Sequence, residues 1–285
     1  MTTPPPDGSR DRRIEDPSNL YLIHPAARRA VPAALRLGVS ANSVSVMGLL
    51  LGGIAAFAYT HWDQPIFAVV GLLFSIFWLI ADGLDGMIAR ATGTASALGR
   101  TLDGLCDHGV FALLYISLAL SIGTVEAWVL MLVAAGMHAV QSSLYEGERA
   151  RYHRRVKGIA IDAPATPKGM VLVRLYDSVA GSLDRVSMPF ERQLARSGDP
   201  LALGRLYGIE AAPVMKFMAL LTANMRILAL FVACLVGNPR LFWWVEIVPM
   251  TLVLVIGITL HRRVERKLTG SITPSIRLSK EQGNT

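Results

Sequence analysis

Four aspartates in the first half of the chain stand in two pairs whose spacing favours a shared chemical role. Asp82 and Asp85 are followed, after a short interval, by Asp103 and Asp107, and apolar runs flank the whole stretch. Carboxylates at the edge of a hydrophobic segment are energetically costly, so they indicate a functional site. Polar helix ends at a membrane surface would explain one or two such residues, but not two matched pairs.

The spacing places each pair on one helical face, because each residue of an α-helix advances about 100° around the axis. Asp82 and Asp85 then share a face with Gly86, and Asp103 shares one with Asp107. If the second helix returns antiparallel to the first, the two pairs face each other. Four converging carboxylates repel unless cations lie between them, and Mg²⁺ or Mn²⁺ prefers oxygen ligands. The pattern therefore predicts a divalent metal site.

The full pattern resembles the motif of the CDP-alcohol phosphotransferase (CDP-alcohol phosphatidyltransferase) family. It reads Asp82-x2-Asp85-Gly86-x2-Ala89-Arg90-x8-Gly99-x3-Asp103-x3-Asp107 and is similar to that motif at every fixed position. So many fixed positions are far more specific than a single glycine-rich match. The resemblance implies a membrane phosphotransferase of phospholipid biosynthesis. Such an enzyme moves the phosphatidyl group of a CDP-alcohol, for example CDP-diacylglycerol, to an acceptor alcohol and releases CMP.

The resemblance also implies a role for each motif residue. Asp82, Asp85 and Asp103 would hold two divalent ions, and Asp107 would be both a ligand and the proton acceptor. The CDP-alcohol would meet residues in and between the two helices, namely Gly86, Arg90, Ser96 and Gly99.

Two further candidates for CDP-alcohol binding lie at the start of the first apolar run. The family often begins its first span with a Pro-Asn-x-x-Thr-like sequence, and here the corresponding residues are Ala41-Asn42-Ser43-Val44-Ser45. The asparagine is retained as Asn42, whereas the proline and the threonine are replaced by Ala41 and Ser45. Contacts of Asn42 and Ser45 with the nucleotide are expected from this partial match.

The acceptor alcohol cannot be read from the motif, but several polar residues in the later apolar runs are candidates for binding it. They are His138, Gln141, Tyr145, Lys216 and Arg226. The first three share one helical face. A buried arginine in a span usually pairs with an anion. That anion is either a phosphate on the acceptor, such as inositol phosphate or glycerol phosphate, or a carboxylate of the protein. A single histidine in such a place more often makes a helix-packing hydrogen bond than it binds a substrate.

Composition places the chain among multi-span membrane proteins. Of its 285 residues, 52% are hydrophobic and 17% charged, and the mean hydropathy is +0.43; these values exceed those of ordinary soluble domains. The net charge of +7 comes from basic residues that flank apolar runs, so a membrane surface is a better partner than nucleic acid. The two cysteines, Cys106 and Cys234, predict no disulfide framework.

Hydropathy predicts an all-α integral membrane protein with six transmembrane helices. The apolar runs are 44–59, 66–81, 110–122, 125–140, 215–236 and 241–260, and the motif would complete the second and third spans.

A Pro-rich stretch, 1–19, is expected to be a disordered cytosolic tail. Residues 20–146 would hold an amphipathic interfacial helix (Leu20–Leu37) or a simple basic flank, followed by the first four spans. A cytosolic loop, 147–212, would contain an amphipathic helix from Leu172 to Leu194; spans five and six, 213–262, and a cytosolic tail, 263–285, would follow.

Charge asymmetry predicts the orientation. Arg240 is the one basic residue in a predicted external loop, Lys216 and Arg226 lie inside the fifth run, and the others fall in segments that would be cytoplasmic. This pattern predicts an inner-membrane protein with its termini and motif on the cytoplasmic side. The resemblance suggests a homodimer. The alternative function is a transporter with an intramembrane cation site, but the sequence indicates neither the inverted repeat nor the broken helices expected of one.

Overall fold

Helices account for the regular structure of the chain. The structure is a computed structural model that describes residues 11–161 and 187–282, and within those ranges it contains no β-strand. A π-helical turn, Asn19–Ile23, precedes the α-helices. In chain order these are α1 (His24–Arg36), α2 (Ala41–Tyr59), α3 (Pro65–Thr92), α4 (Ala97–Ile122), α5 (Val125–Val156), α6 (residues 187–196), α7 (Pro200–Met218), α8 (Ala223–Leu235), α9 (Arg240–Ile247) and α10 (Pro249–Gln282). The prediction of an all-α protein is confirmed.

Within the described ranges, five helical segments are long and apolar enough to cross a membrane. They are α2, α3, α4, α5 and the stretch Arg240–Gly270, and a sixth is present if α7 and α8 make one span. Helix α3 has 28 residues and α4 has 26. At 1.5 Å per residue, both exceed the roughly 30 Å hydrocarbon core. The motif residues thus extend the second and third spans, as predicted.

The later part of the chain differs from the predicted boundaries. The fifth predicted span, 215–236, is interrupted by a 3₁₀ turn at Ala219–Leu221 and an extended Thr222, so the expectation of unbroken spans is corrected there. The sixth breaks after Ile247, because Pro249 supplies no backbone N–H to a continuing helix. Helix α10 then runs through the predicted tail as far as Gln282.

The predicted cytosolic loop, 147–212, is partly helical. Helix α5 continues into it to Val156, and α7 begins within it at Pro200. The proposed amphipathic helix lies mostly outside the described residues. Its last part is α6, in which Phe190 and Leu194 are buried, as expected for the apolar face.

The chain divides into two compact units. One, here called the motif unit, comprises Met1–His138 and Thr222–Met250; the other, the second unit, comprises Ala139–Leu221 and Thr251–Thr285. In the motif unit, close helix contacts depend on glycines. A Cβ atom on Gly52 of α2 would lie 2.4 Å from Val110 of α4, and one on Gly71 of α3 would lie 2.7 Å from Tyr59 of α2. These two glycines therefore allow α2 to pack tightly against both motif helices.

The predicted helix over Leu20–Leu37 is present as the π-helical turn and α1. Its apolar residues Ala27 and Val31 pack with Leu84 and Ile88 of α3, so part of its apolar face is covered by the motif helix itself. Its place at a membrane interface stays a prediction.

The prediction that residues 1–19 form a disordered tail is wrong for the second half of that stretch. Residues 1–10 lie outside the described part of the chain, but Ile14 and Asp16 are almost completely buried. The side-chain amide of Asn224, near the start of α8, donates to Ser18 Oγ at 2.6 Å and to Asn19 Oδ1 at 2.7 Å. These partners lie about two hundred residues away in sequence, so no local pattern indicates the order they impose.

A buried network of charged and polar side chains holds the second unit together. The Tyr207 hydroxyl and His261 Nε2 are 2.6 Å apart, and His261 Nδ1 is 2.6 Å from Glu148 Oε2. Arg155 donates to Glu191 at 2.8 Å and to Glu265 at 2.5 Å. Arg262 also donates to Glu148 and Glu265. The network thereby connects α5, α6, α7 and α10.

We expect Glu148→Gln to destabilise the protein by about 3–5 kcal/mol, because breaking a buried ion network leaves an uncompensated charge. Glu148 is 1% exposed and contacts Arg151, His261 and Arg262. The measurement is unfolding in detergent. Glu210→Gln is the matched control, since its pair with Lys267 is largely exposed, and it should change the stability by less than about 0.5 kcal/mol. Equal losses in the two variants would contradict a stabilising network.

Candidate active site

The four motif aspartates converge between α3 and α4. Single carboxylate oxygens of Asp82, Asp103 and Asp107 all lie within 4.8 Å of one another. Asp85 completes the group, because its carboxyl group is in hydrogen-bonding contact with that of Asp103, as Asp82 is with Asp107. Asp85, the later of the two aspartates on α3, pairs with Asp103, the earlier of the two on α4, so the two helices run antiparallel. The predicted facing of the two pairs is therefore present.

The connection between the helices sets this arrangement. Helix α3 ends at Thr92 and is followed by Gly93, whose φ of 67° is the left-handed conformation that glycine adopts readily at a helix C-terminus. Helix α4 begins after Ser96, whose Oγ accepts a hydrogen bond from the Gly99 backbone N–H at 3.0 Å. A short loop between two well-capped helix ends allows the chain to reverse.

Ser45 of α2 orients the most buried of the four carboxylates. Its hydroxyl donates to Asp85 Oδ2 at 2.5 Å, and Asp85 is 4% exposed. Sequence analysis assigned Ser45 to the CDP-alcohol. The structure places its hydroxyl on a predicted metal ligand instead, so any contribution of Ser45 to substrate binding would act through Asp85.

Trp78 is a member of the site that sequence analysis missed. It lies one helical turn before Asp82 on α3, and its indole Nε1 donates to Asp107 Oδ1 at 3.1 Å. Its spacing of four residues from Asp82 puts it on the carboxylate face, and this periodicity was the available signal. A tryptophan in an apolar run, however, is first interpreted as a residue of the hydrophobic core.

These four carboxylates fit a hard divalent cation. They offer only oxygen donors, the ligands that Mg²⁺ and Mn²⁺ prefer, and three of them come within one coordination sphere. Without a cation or a shared proton, carboxyl groups in direct contact repel each other. Asp82, Asp103 and Asp107 are the residues that would hold the ion most directly, with Asp85 beside them.

The candidates for nucleotide binding lie around the ends of α2, α3 and α4. A Cβ on Gly99 would lie 3.2 Å from Ser96 Oγ and 3.6 Å from Asn42 Oδ1, so these three residues are neighbours. A Cβ on Gly86 would lie 3.3 Å from the guanidinium of Arg90, and Arg90 is exposed. Small residues thus keep polar groups accessible close to the carboxylates.

The acceptor candidates fall into both units. In the motif unit, Arg226 donates to Glu246, and His138 Nδ1 lies 3.7 Å from the same carboxylate and 3.2 Å from the Tyr115 hydroxyl. Arg226 therefore contacts a carboxylate of the protein, which is one of the two kinds of anion expected. Sequence analysis missed Glu246, although an acidic residue within an apolar run is a signal of function or pairing.

The other candidates, Gln141, Tyr145 and Lys216, belong to the second unit. The Gln141 amide donates to the Thr251 hydroxyl at 3.0 Å, and Tyr145 is 4% exposed. Their assignment to the acceptor stays a prediction.

We expect Arg226→Met and Glu246→Leu each to cost about 3–5 kcal/mol, since either leaves one buried charge of the ion pair without its partner. Arg226 and Glu246 are 1% and 0% exposed. The double variant should recover most of this loss, and unfolding of all four proteins in detergent measures the coupling. If the single losses simply add in the double variant, the pair is not the main interaction of either residue.

Comparison with known proteins identifies the domain. Residues 39–168 match the family model described as CDP-alcohol phosphatidyltransferase. A phosphatidylinositol phosphate synthase of Mycolicibacterium smegmatis is 33% identical over 96 residues, which are 32% of this chain and 42% of that protein. An archaetidylinositol phosphate synthase of Pyrococcus horikoshii is 30% identical over 124 residues, which are 44% of this chain and 63% of that protein.

The matches thus span less than two thirds of either relative's length. The stretch that matches the family model contains α2, α3, α4 and α5, and with them all four converging carboxylates. Residues 39–168 therefore match a CDP-alcohol phosphatidyltransferase domain, the family whose motif these four aspartates resemble.

Proposed function

We propose that the protein transfers the phospho-alcohol group of a CDP-linked lipid to the hydroxyl group of a small acceptor, with release of CMP. The observation that carries the proposal is the convergence of Asp82, Asp85, Asp103 and Asp107 between two membrane-spanning helices. An apolar helix pair beside an acidic site suits a substrate with a lipid tail and a charged pyrophosphate.

The residues of the site have separate roles in a single displacement reaction. Asp107 accepts the proton of the acceptor hydroxyl, whose oxygen then attacks the phosphorus that carries the lipid alcohol. Asp82, Asp85, Asp103 and Asp107 would hold two divalent ions, Mg²⁺ or Mn²⁺. When bound, such ions neutralise charge on the pyrophosphate and on the departing phosphate of CMP.

The cytidine end of the donor is proposed to lie against the glycine-lined surface of the motif. Gly86 and Gly99 leave room for close approach, while Arg90, Asn42 and Ser96 supply polar contacts. Arg90 carries the charge that complements a phosphate.

The acceptor is proposed to be a phosphorylated polyol, with inositol phosphate as the first choice and glycerol phosphate as the second. Both relatives described above carry inositol phosphate synthase in their names. His138 and Arg226 are the residues of the motif unit proposed to bind it. Gln141, Tyr145 and Lys216 of the second unit stay candidates on the sequence pattern alone.

The protein is further proposed to reside in the inner membrane with its termini and active site facing the cytoplasm, and to act as a homodimer. The distribution of basic residues supports the orientation. Cysteine accessibility in intact cells and cross-linking in membranes test these two points.

A transporter with a cation site is the competing function. Transporter sites are typically formed by discontinuous helices, whereas the four carboxylates here lie on the unbroken α3 and α4. The interruption of the fifth predicted span at Ala219–Leu221 is the feature that agrees with a transporter, and it is the reason to test that function.

The deciding experiment incubates purified protein with labelled CDP-diacylglycerol, Mg²⁺ or Mn²⁺, and one alcohol at a time: inositol phosphate, glycerol phosphate, inositol, serine or choline. We expect CMP release that requires donor, metal and acceptor together, and is fastest with inositol phosphate. Release of no CMP under any combination, with cation uptake into vesicles, would favour the transporter.

A further inference from the structure

Trp78 makes a contact with the site that the motif does not account for. Its Nε1 donates across from α3 to Asp107 Oδ1 on α4, at 3.1 Å, and the side chain is 2% exposed. Water competes little for a hydrogen bond that a buried donor makes to a carboxylate, so the bond strongly constrains the orientation of the carboxylate.

The indole ring is itself held from two sides. A Cβ on Gly48 of α2 would lie 3.3 Å from Trp78 Cδ1, so the indole lies directly against the α2 backbone there. On α4, the ring of Phe111 meets the indole edge-on, with centroids 5.4 Å apart. Contacts with α2 and α4 therefore hold the indole in the orientation in which its N–H group meets Asp107.

The chemistry of this donor distinguishes the two oxygens of Asp107. An indole N–H donates and never accepts, so it engages Oδ1 and can take no proton from it. Oδ1 is thus engaged by the indole, and this bond fixes the direction in which Oδ2 lies. A base acts efficiently only when its basic atom is held in the right direction.

We propose that Trp78 is a positioning residue that fixes the Asp107 carboxylate so that Oδ2 receives the proton of the acceptor hydroxyl. This rests on the proposed function. In the step, the hydroxyl O–H bond breaks and its proton goes to Oδ2. The oxygen's electron pair forms the new P–O bond, and the P–O bond to CMP breaks with its electron pair leaving on CMP.

The test compares substitutions that separate the N–H group from the volume of the ring. Trp78→Phe removes the donor and keeps an aromatic ring. Trp78→His loses more volume but retains a ring nitrogen in the position equivalent to Nε1. Trp243→Phe is the matched control, because Trp243 is completely buried in the same unit and its Nε1 has no hydrogen-bond partner among the described residues.

We expect Trp78→Phe to lower kcat by about 10- to 100-fold, the usual effect of removing a group that orients a metal ligand, with KM for the CDP-alcohol nearly unchanged. Trp78→His should retain more activity than Trp78→Phe, and Trp243→Phe should stay within about twofold of the wild type. A residue needed only to fill space would give the opposite order for phenylalanine and histidine, which would overturn the proposal. Should the phenylalanine variant not fold, an inactive but folded Trp78→His protein would overturn it as well.

A second readout needs no turnover. Paramagnetic Mn²⁺ bound by Asp107 should quench the fluorescence of the adjacent Trp78, whereas Mg²⁺ should not. We expect the quenching to be kept in Trp243→Phe and mostly lost in Trp78→Phe. Quenching that persists in full without Trp78 would overturn the contact, even if no acceptor supported CMP release. Failure of the proposed function is thus distinguishable from failure of the positioning role.

Discussion

Replacement of Asp107 by asparagine is expected to lower kcat by about 10³-fold or more, since general-base catalysis alone contributes roughly 10²–10⁴-fold. The amide keeps the size of the side chain and can still accept the hydrogen bond from Trp78. It cannot accept a proton from the acceptor hydroxyl. The measurement is the rate of CMP release at saturating donor, acceptor and metal, together with the melting temperature in detergent.

The matched control for this variant is Asp63→Asn, which makes the same chemical change at an exposed residue between α2 and α3. Its activity should equal that of the wild type. If Asp107→Asn turned over at the wild-type rate with its melting temperature preserved, Asp107 would not be the base. One of the other three carboxylates would then have to be tested in its place.

Removal of divalent metal is expected to abolish CMP release, and Mg²⁺ or Mn²⁺ should restore it. The reason is the donor set: Asp82, Asp103 and Asp107 converge within 4.8 Å, and no positive charge of the substrate compensates them, because the CDP-alcohol is itself an anion. Exhaustive chelation followed by titration with each ion measures the requirement. Undiminished activity after chelation would refute the metal site.

Stability gives an independent measure of the same site. A metal at about 100 times its Kd should stabilise the wild type by about 2.7 kcal/mol, which appears as a rise in melting temperature. Asp103→Asn should lose most of this rise. Without metal it should be at least as stable as the wild type, because removing one of four clustered charges relieves repulsion. A metal-dependent rise of equal size in Asp103→Asn would argue that the ion binds elsewhere.

The two predictions separate two roles of the cluster. A variant that retains the metal-dependent stabilisation but not turnover has lost the base. A variant that loses both has lost a ligand. Because Asp107 is expected to be base and ligand together, Asp107→Asn should lose nearly all turnover and part of the metal-dependent stabilisation. Asp63→Asn should lose neither.

The positions of the carboxylates could be predicted because they depend on local geometry. The spacing of three and four residues places Asp82 with Asp85, and Asp103 with Asp107, on single helical faces, and a short connection makes the two helices neighbours. Helix α3 and helix α4 have the lengths needed to carry both pairs on continuous spans. The family motif agrees with this geometry at the same residues.

Boundaries were harder to predict where one apolar run contains a change of backbone. The run 215–236 was expected to be one span, but Ala219–Leu221 forms a 3₁₀ turn and Thr222 is extended. Hydropathy averages over such a turn because its residues are as apolar as their neighbours. Pro249, by contrast, was a visible sign of the break that follows Ile247.

Residue types and their spacing along single chain segments were enough to predict the first four spans, the two acidic faces and the chemistry that four clustered carboxylates permit. The donors that those carboxylates meet could be found only from the packing of the helices. Ser45 contacts Asp85 across forty residues and Trp78 contacts Asp107 across twenty-nine, and the buried pair of Arg226 with Glu246 joins two separate helices. Such contacts follow from how helices pack side by side, and the periodicity of a single helix carries no information about the face of its neighbour.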